Sequence, residues 1–152
     1  MSNWIPITID DLNDAKVSAL VDAARSAALA EGQTDPAPRV IARVVSRIRA
    51  EIKGCATNKL DSDPTTIPED LSDLAARMIV RRLQGRLNIS LSDDEKTEQK
   101  DDLRYLERIA ACSVPIAAPD NVQVVEEVQS LSGTPKIYRK RRFFTRRQGE
   151  GI

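Results

Sequence analysis

The chain has 152 residues, with 23 Lys and Arg against 23 Asp and Glu, no histidine, two cysteines and five aromatic residues. About 150 residues is the size of one ordinary domain with a real core. The missing histidine excludes Ser-His-Asp and Cys-His catalysis, His-ligated metals and a histidine pH switch, and the balanced charge argues against a chain basic all over for nucleic acid.

At the N-terminus, Met1 to Pro6 lacks a basic region and a long apolar run, so no signal peptide is expected. Trp4, Ile5 and Ile7 form an apolar strap expected to cover a helical body. Thr8-Ile9-Asp10-Asp11 resembles a helix start, a threonine cap with acids in the first turn. Leu12, Val17, Leu20, Val21, Ala24 and Ala28 then recur at helical spacing, and Gly32 stops the helix.

Asp35-Pro36 opens a second helix, a capping acid followed by proline at the first helical position. Val40, Ile41, Val44, Val45, Ile48 and Ile52 form its apolar stripe, and Gly54 ends it. So many β-branched residues in one helix imply that packing rather than propensity holds it, and that it is the most buried element. Thr66-Ile67-Pro68-Glu69 reads as a capping box starting a third helix, with Leu71, Leu74, Ala75, Met78, Ile79, Leu83 and Leu87 on its buried face.

Ser92-Asp93-Asp94-Glu95 is a second capping box and opens a fourth helix, whose apolar residues come late, at Leu103, Leu106, Ile109 and Ala110. The half from Asp93 to Asp102 has no large apolar residue and must project into solvent or lie against a neighbouring chain. Pro115 and Pro119 then stop helices, and an extended pattern follows, with Ser132-Gly133-Thr134-Pro135 able to turn a short β-hairpin. The expected fold is mainly α: a four-helix-bundle-like body over residues 1–114 and an extended C-terminal arm over 115–152.

Cys55 and Cys112 lie 57 positions apart, with no CxxC motif, and each reads as a small buried hydrophobe in a reducing, soluble compartment. No run approaches the ~18 apolar residues of a membrane span, so no membrane partner is expected. Neither phosphate-binding loops nor a nucleophile elbow is present, the acidic run from Asp93 lacks calcium-loop spacing, and adjacent pairs such as Asp10 and Asp11 point apart. The sequence implies no enzyme, cofactor or metal site.

Charge is segregated. Residues 1–135 carry 16 basic and 22 acidic side chains, whereas 136–152 carry seven basic and one acidic. The arm reads either as a solubilising tail or as a docking segment, with Val122, Val124, Ile137, Tyr138, Phe143 and Phe144 as apolar anchors. Its charges, Arg139, Lys140, Arg141, Arg142, Arg146 and Arg147, would meet an acidic surface or phosphates. On the second helix Arg39, Arg43 and Arg47 recur every four residues, and Arg77, Arg81 and Arg82 do something similar on the third. These rows read either as solvated faces or as faces that meet the acidic half of the fourth helix, with Asp94, Glu98 and Asp102, on an adjacent subunit.

The order of elements resembles a known family. Thr8-x-x-Asp11-Leu12 is followed by the apolar helix Val40-Ile41-Ala42-Arg43-Val44-Val45-Ser46-Arg47-Ile48. Ile67-Pro68 and Leu71-x-x-Leu74-Ala75-Ala76-x-Met78-Ile79 come next, and Tyr105-Leu106-x-x-Ile109-Ala110 closes the pattern. Over about residues 7–114 this resembles the head–tail connector (adaptor, or head-completion) proteins of long-tailed bacteriophages, particularly the Mu-type group. It departs at Ala111-Cys112-Ser113, where a glycine is common in that family, and in an arm longer than in its shortest members.

The resemblance implies a structural virion protein, made in the host cytoplasm and placed in the neck at the head–tail interface. Such proteins form an oligomeric ring, usually of twelve copies, beneath the portal. Their C-terminal arms dock on the portal protein, a stopper or tail-completion protein binds below, and genome DNA passes through without sequence recognition. The competing expectation is a helical DNA-binding module, for packaging or regulation, using the basic tail. Salt dependence of duplex affinity would separate the two.

Overall fold

The computed structural model describes residues 3–12, 15–30, 32 and 34–122. Among them are four α-helices, α1 (Ala15–Ala30), α2 (Pro36–Gly54), α3 (Ser72–Arg86) and α4 (Asp93–Ala110), and two short strands, β1 (Trp4–Pro6) and β2 (Thr66–Pro68). The protein is mainly α, as its hydrophobic periods predict.

Helix α2 is the central element and packs on α1, α3, α4 and β2. Its whole apolar stripe, Val40, Ile41, Val44, Val45, Ile48 and Ile52, is buried. Asp35 caps it, its carboxylate accepting from the Ala37 N–H at 2.9 Å. Leu71, just before α3, and Leu74, Ala75, Ile79 and Leu83 of α3 cover one side of α2, and Val21 and Ala24 reach the same core from α1. Gly32 follows α1 at φ +69°, a left-handed stop that glycine makes without a steric cost.

Two starts differ from the sequence reading. Thr66 to Pro68 is not a helix cap but β2, paired antiparallel with β1 in the register Trp4 with Pro68, Ile5 with Ile67 and Pro6 with Thr66. The Thr66 hydroxyl donates to the Asp61 carboxylate at 2.8 Å instead of accepting from a helix N-terminal N–H. Glu69 donates its N–H to the Asn3 carbonyl, and a 3₁₀ turn, Glu69–Leu71, then leads into α3. A β-branched pair before a proline favours extended backbone, and the strap supplies the strand that completes it. Thr8 likewise precedes only a 3₁₀ turn, Asp10–Leu12, and α1 begins at Ala15. Its N–H and hydroxyl both donate to the Asp11 carboxylate.

In α4 the capping box forms as read, Ser92 and Glu95 each bonding the other's backbone N–H. The core-facing stripe is Asp102, Leu106 and Ile109, a spacing of four and three. Leu103, expected inside, is 38 % exposed, and a carboxylate holds the position the pattern assigned to it.

The cysteines are a second correction. Cys55 and Cys112 form a disulfide, with Cα atoms 5.2 Å apart. Cys55 is buried, but Cys112 is exposed just beyond α4, with φ at +59°. The expected pair of free core thiols is therefore a covalent clasp between the ends of α2 and α4. Residues 115–122, counted with the arm by the sequence reading, run back over the body. The Trp4 indole donates to the Ala117 carbonyl at 3.0 Å, Ser62 donates its N–H to the Asn121 carbonyl, and Val122 bridges antiparallel to Asp61.

Candidate functional site

Three groups of polar side chains stand out, and elements far apart in sequence build each. The first lies between α3 and α4. Arg77 and Arg81, one turn apart, point at α4 and share the buried Asp102 carboxylate: Arg77 binds one oxygen at 2.7 Å, and Arg81 contacts the other. Glu98, one turn before Asp102, approaches both guanidiniums at 3.5 and 3.6 Å. The arginine side chain of Arg81 is 8 % exposed and that of Asp102 is 7 %. Burial alone would raise the Asp102 carboxyl, but hydrogen bonds from Arg77 and Arg81 outweigh it and hold the group below its ordinary value. The same bond raises Arg77.

Four of the residues expected to join subunits, Arg77, Arg81, Glu98 and Asp102, thus meet one another inside one chain. The acidic half of α4 is held to α3 by charge where it lacks apolar side chains. A carboxylate that already accepts three hydrogen bonds from two arginines suits a fixed joint better than acid–base chemistry.

The second group is an exposed arginine face. Arg39, Arg43 and Arg47 project from α2 into solvent. Arg39 shares a depression with Arg86 at the end of α3, and Arg47 shares another with Arg82, Met78 and Leu103. These neighbours show α2 and α3 running antiparallel, with arginines along both sides of their seam. Arg47 pairs with Glu51 at 2.8 Å. Arg39 and Arg43 have no ion-pair partner among the described residues. Asp94 is also exposed, at the N-terminal tip of α4, where Gln84 of α3 donates to Glu95 at 3.0 Å.

The third group is one that the sequence reading missed. Arg49, on the α2 face away from Arg47, is 8 % exposed. Its guanidinium donates to the Thr66 carbonyl and the Asp61 carbonyl, both at 2.8 Å, and lies 5.6 Å from the centre of the Trp4 ring. Burial pushes Arg49 below its ordinary value, against the pull of Asp61 and Asp63. One side chain therefore ties α2 to the ribbon, to the loop after α2, and through Trp4 and Asp61 to the strap of residues 115–122. The signal was available: arginine interrupts α2 between Ile48 and Ile52, next to the apolar stripe.

Of the arm residues, Val122 is described, 39 % exposed and bridged to Asp61. Val124, Ile137, Tyr138, Arg139, Lys140, Arg141, Arg142, Phe143, Phe144, Arg146 and Arg147 lie outside the described residues, as does the hairpin turn at Gly133. Among the described residues no group of three Cys, Asp or Glu side chains could hold a metal, and no helix is long and apolar enough to cross a membrane. Set against protein-family models, curated proteins and solved structures, the chain matches none of them.

Proposed function

We propose that the chain is a non-enzymatic structural protein of a bacteriophage particle, a head–tail connector whose copies form a ring between the portal and the stopper or tail. The observation that carries this reading is the exposed pair Arg39 and Arg43 on α2, which have no ion-pair partner among the described residues, together with the exposed Asp94 at the tip of α4. Exposed charges of opposite sign on two different helices suit a heterologous, head-to-tail contact, which closes into a ring where the rotation between copies divides a full turn. The internal Arg77–Asp102 joint supports the reading too, since it lets α4 stand as a rigid polar strut. The Cys55–Cys112 disulfide is in keeping with service in a particle outside the reducing cytoplasm.

On this reading the basic arm beyond Val122 docks on the portal protein, while genome DNA passes through the ring without being read. Native mass spectrometry of the purified chain, alone and with portal protein, tests it. Arg43→Glu should abolish higher oligomers while leaving helical content unchanged. An unaltered oligomer distribution would remove the arginine face from the contact. Tight binding to duplex DNA that weakens steeply with salt would favour a DNA-binding module instead.

A further inference from the structure

The two halves of the Cys55–Cys112 disulfide are unlike, and the difference gives them separate parts in thiol exchange. Cys55 is 1 % exposed, whereas Cys112 is exposed. A thiolate attacks one sulfur of a disulfide and expels the other. Attack at Cys112 is open to a dissolved thiol, and attack at Cys55 is screened by the core, so the sulfur that leaves is that of Cys55. It stands at the C-terminal end of α2, whose negative pole opposes a thiolate. The Thr57 hydroxyl offsets that pole. Its oxygen lies 2.9 Å from the Cys55 sulfur, and because a disulfide sulfur carries no proton, the hydroxyl is the donor.

Cys112 also holds a special backbone position. Its φ of +59° is in the left-handed region. The turn is a Schellman cap on α4, in which the Cys112 N–H donates to the Ile109 carbonyl and the Ser113 N–H to the Arg108 carbonyl. Glycine takes that position at no steric cost, and cysteine does not. The disulfide thus fixes the residue at which the chain leaves α4 for the strap of residues 115–122. Opening the bond leaves the turn to its two backbone hydrogen bonds.

We propose that Cys112 is a thiol-exchange site for a low-molecular-weight thiol, and that exchange there unlatches the strap. The incoming thiolate attacks the Cys112 sulfur and forms a mixed disulfide with it. The Cys55–Cys112 bond breaks, and its electron pair leaves on Cys55 as a thiolate that accepts from Thr57. A second thiol attacks the small-molecule sulfur of the mixed disulfide and expels Cys112 as a thiolate. The two protons lost by the small thiols pass to Cys55 and Cys112. In balance, two thiols are oxidised to one small disulfide while the protein disulfide is reduced to two thiols. The strap then rests on the Trp4 bond to Ala117, the Ser62 bond to Asn121 and the bridge from Asp61 to Val122. Its burial is slight, with Ile116 half-buried and Pro119 buried. The inference stands on the disulfide and its two flanking turns, not on the connector reading.

The oxidised full chain in millimolar reduced glutathione tests it, with bond loss followed by mass spectrometry of acid-quenched samples. The rate should stay flat in urea below the unfolding transition, and the glutathione carried by quenched chains should map to Cys112. Thr57→Val should slow bond loss several-fold, because the leaving thiolate loses its donor, whereas Thr57→Ser should match wild type. In the reduced chain, amide exchange at Ser62 should quicken several-fold and Trp4 emission should move to the red, while the middle of α2 stays protected. Glutathione on Cys55, a rate that climbs with urea along the slope of global unfolding, or equal rates in Thr57→Val and wild type would each overturn the exchange site. An unmoved Ser62 amide in the reduced chain would overturn the unlatching.

Discussion

A β-carbon added to Gly54 would stand 3.2 Å from the Cβ of Ala110, so the last turns of α2 and α4 approach as closely as two helices with a methyl on only one side can. The disulfide joins the very next residue, Cys55, to Cys112, two positions past Ala110. The covalent link limits how far either helix end can shift to make room for a larger side chain. Gly54→Val should therefore destabilise the protein by about 1–3 kcal/mol through overpacking, despite valine's better helix propensity. Urea unfolding at neutral pH measures this, and a stability at or above wild type would mean that the crossing yields.

The clasp closes a long loop, and that predicts its worth. With 57 residues of sequence separation, the chain-entropy relation gives a stabilisation of about 4 kcal/mol. The double variant Cys55→Ala/Cys112→Ala should lose about 2–4 kcal/mol, while keeping the far-ultraviolet signature of a helical protein. Exposed Cys112 makes the bond open to reductant, so melting with and without dithiothreitol should show the same loss in wild type and none in the variant.

The joint at Asp102 has a pH signature. Its carboxyl lies below the ordinary value when folded, so the stability it supplies is complete above the unfolded value of about 3.9 and disappears as pH falls through the lower folded value. Asp102→Asn leaves the buried Arg81 guanidinium opposite a neutral group, with only Glu98 at 3.6 Å to offset it. The expected cost at pH 7 is about 2–3 kcal/mol, less than for a fully buried pair because Arg77 is partly solvated. Denaturation curves from pH 7 to 2 should show wild type and variant diverging at neutral pH and converging in acid. Glu98→Gln, at a half-exposed site, should cost under about 1 kcal/mol.

What was legible in the residues follows from what is local. The stripe of α2, the Asp35 and Ser92 caps and the Gly32 stop each rest on neighbours within a turn, and each forms as read. Long-range pairing was not legible. Thr66 and Glu69 have capping-box spacing, but whether they cap a helix or join a ribbon depends on Trp4 to Pro6, about 60 positions away. The arginine rows of α2 and α3 look alike in sequence, yet Arg39 and Arg43 stay in solvent while Arg77 and Arg81 close on Asp102. No spacing within α3 distinguishes them, because α4 supplies the partner. Asp102 was misplaced for a related reason: hydrophobic patterning assigns the core stripe to the adjacent leucine, whereas two arginines make the carboxylate the better core residue.

Arg49 offers the sharpest test of how the strap is held. Its guanidinium satisfies two backbone carbonyls, of Asp61 and Thr66, in a region where little water reaches them, and it faces the Trp4 ring. Arg49→Met keeps the volume but leaves both carbonyls without this donor, at about 1–3 kcal/mol for each buried group so stranded. The loss should be local before it is global. Trp4 donates to Ala117, and Asp61 bridges Val122, so loosening the guanidinium frees β1 and the strap of residues 115–122 together. In Arg49→Met the single tryptophan should fluoresce further to the red, and amide exchange should quicken at Ser62 and Glu69, whose N–H groups bond Asn121 and Asn3. Exchange within the middle of α2 should stay slow until the whole body unfolds. Arg49→Lys should recover only part of the loss, since one ammonium lacks the planar fork that reaches both carbonyls while stacking on an indole. Equal exchange rates in wild type and Arg49→Met at those two amides would show that the strap is held without it.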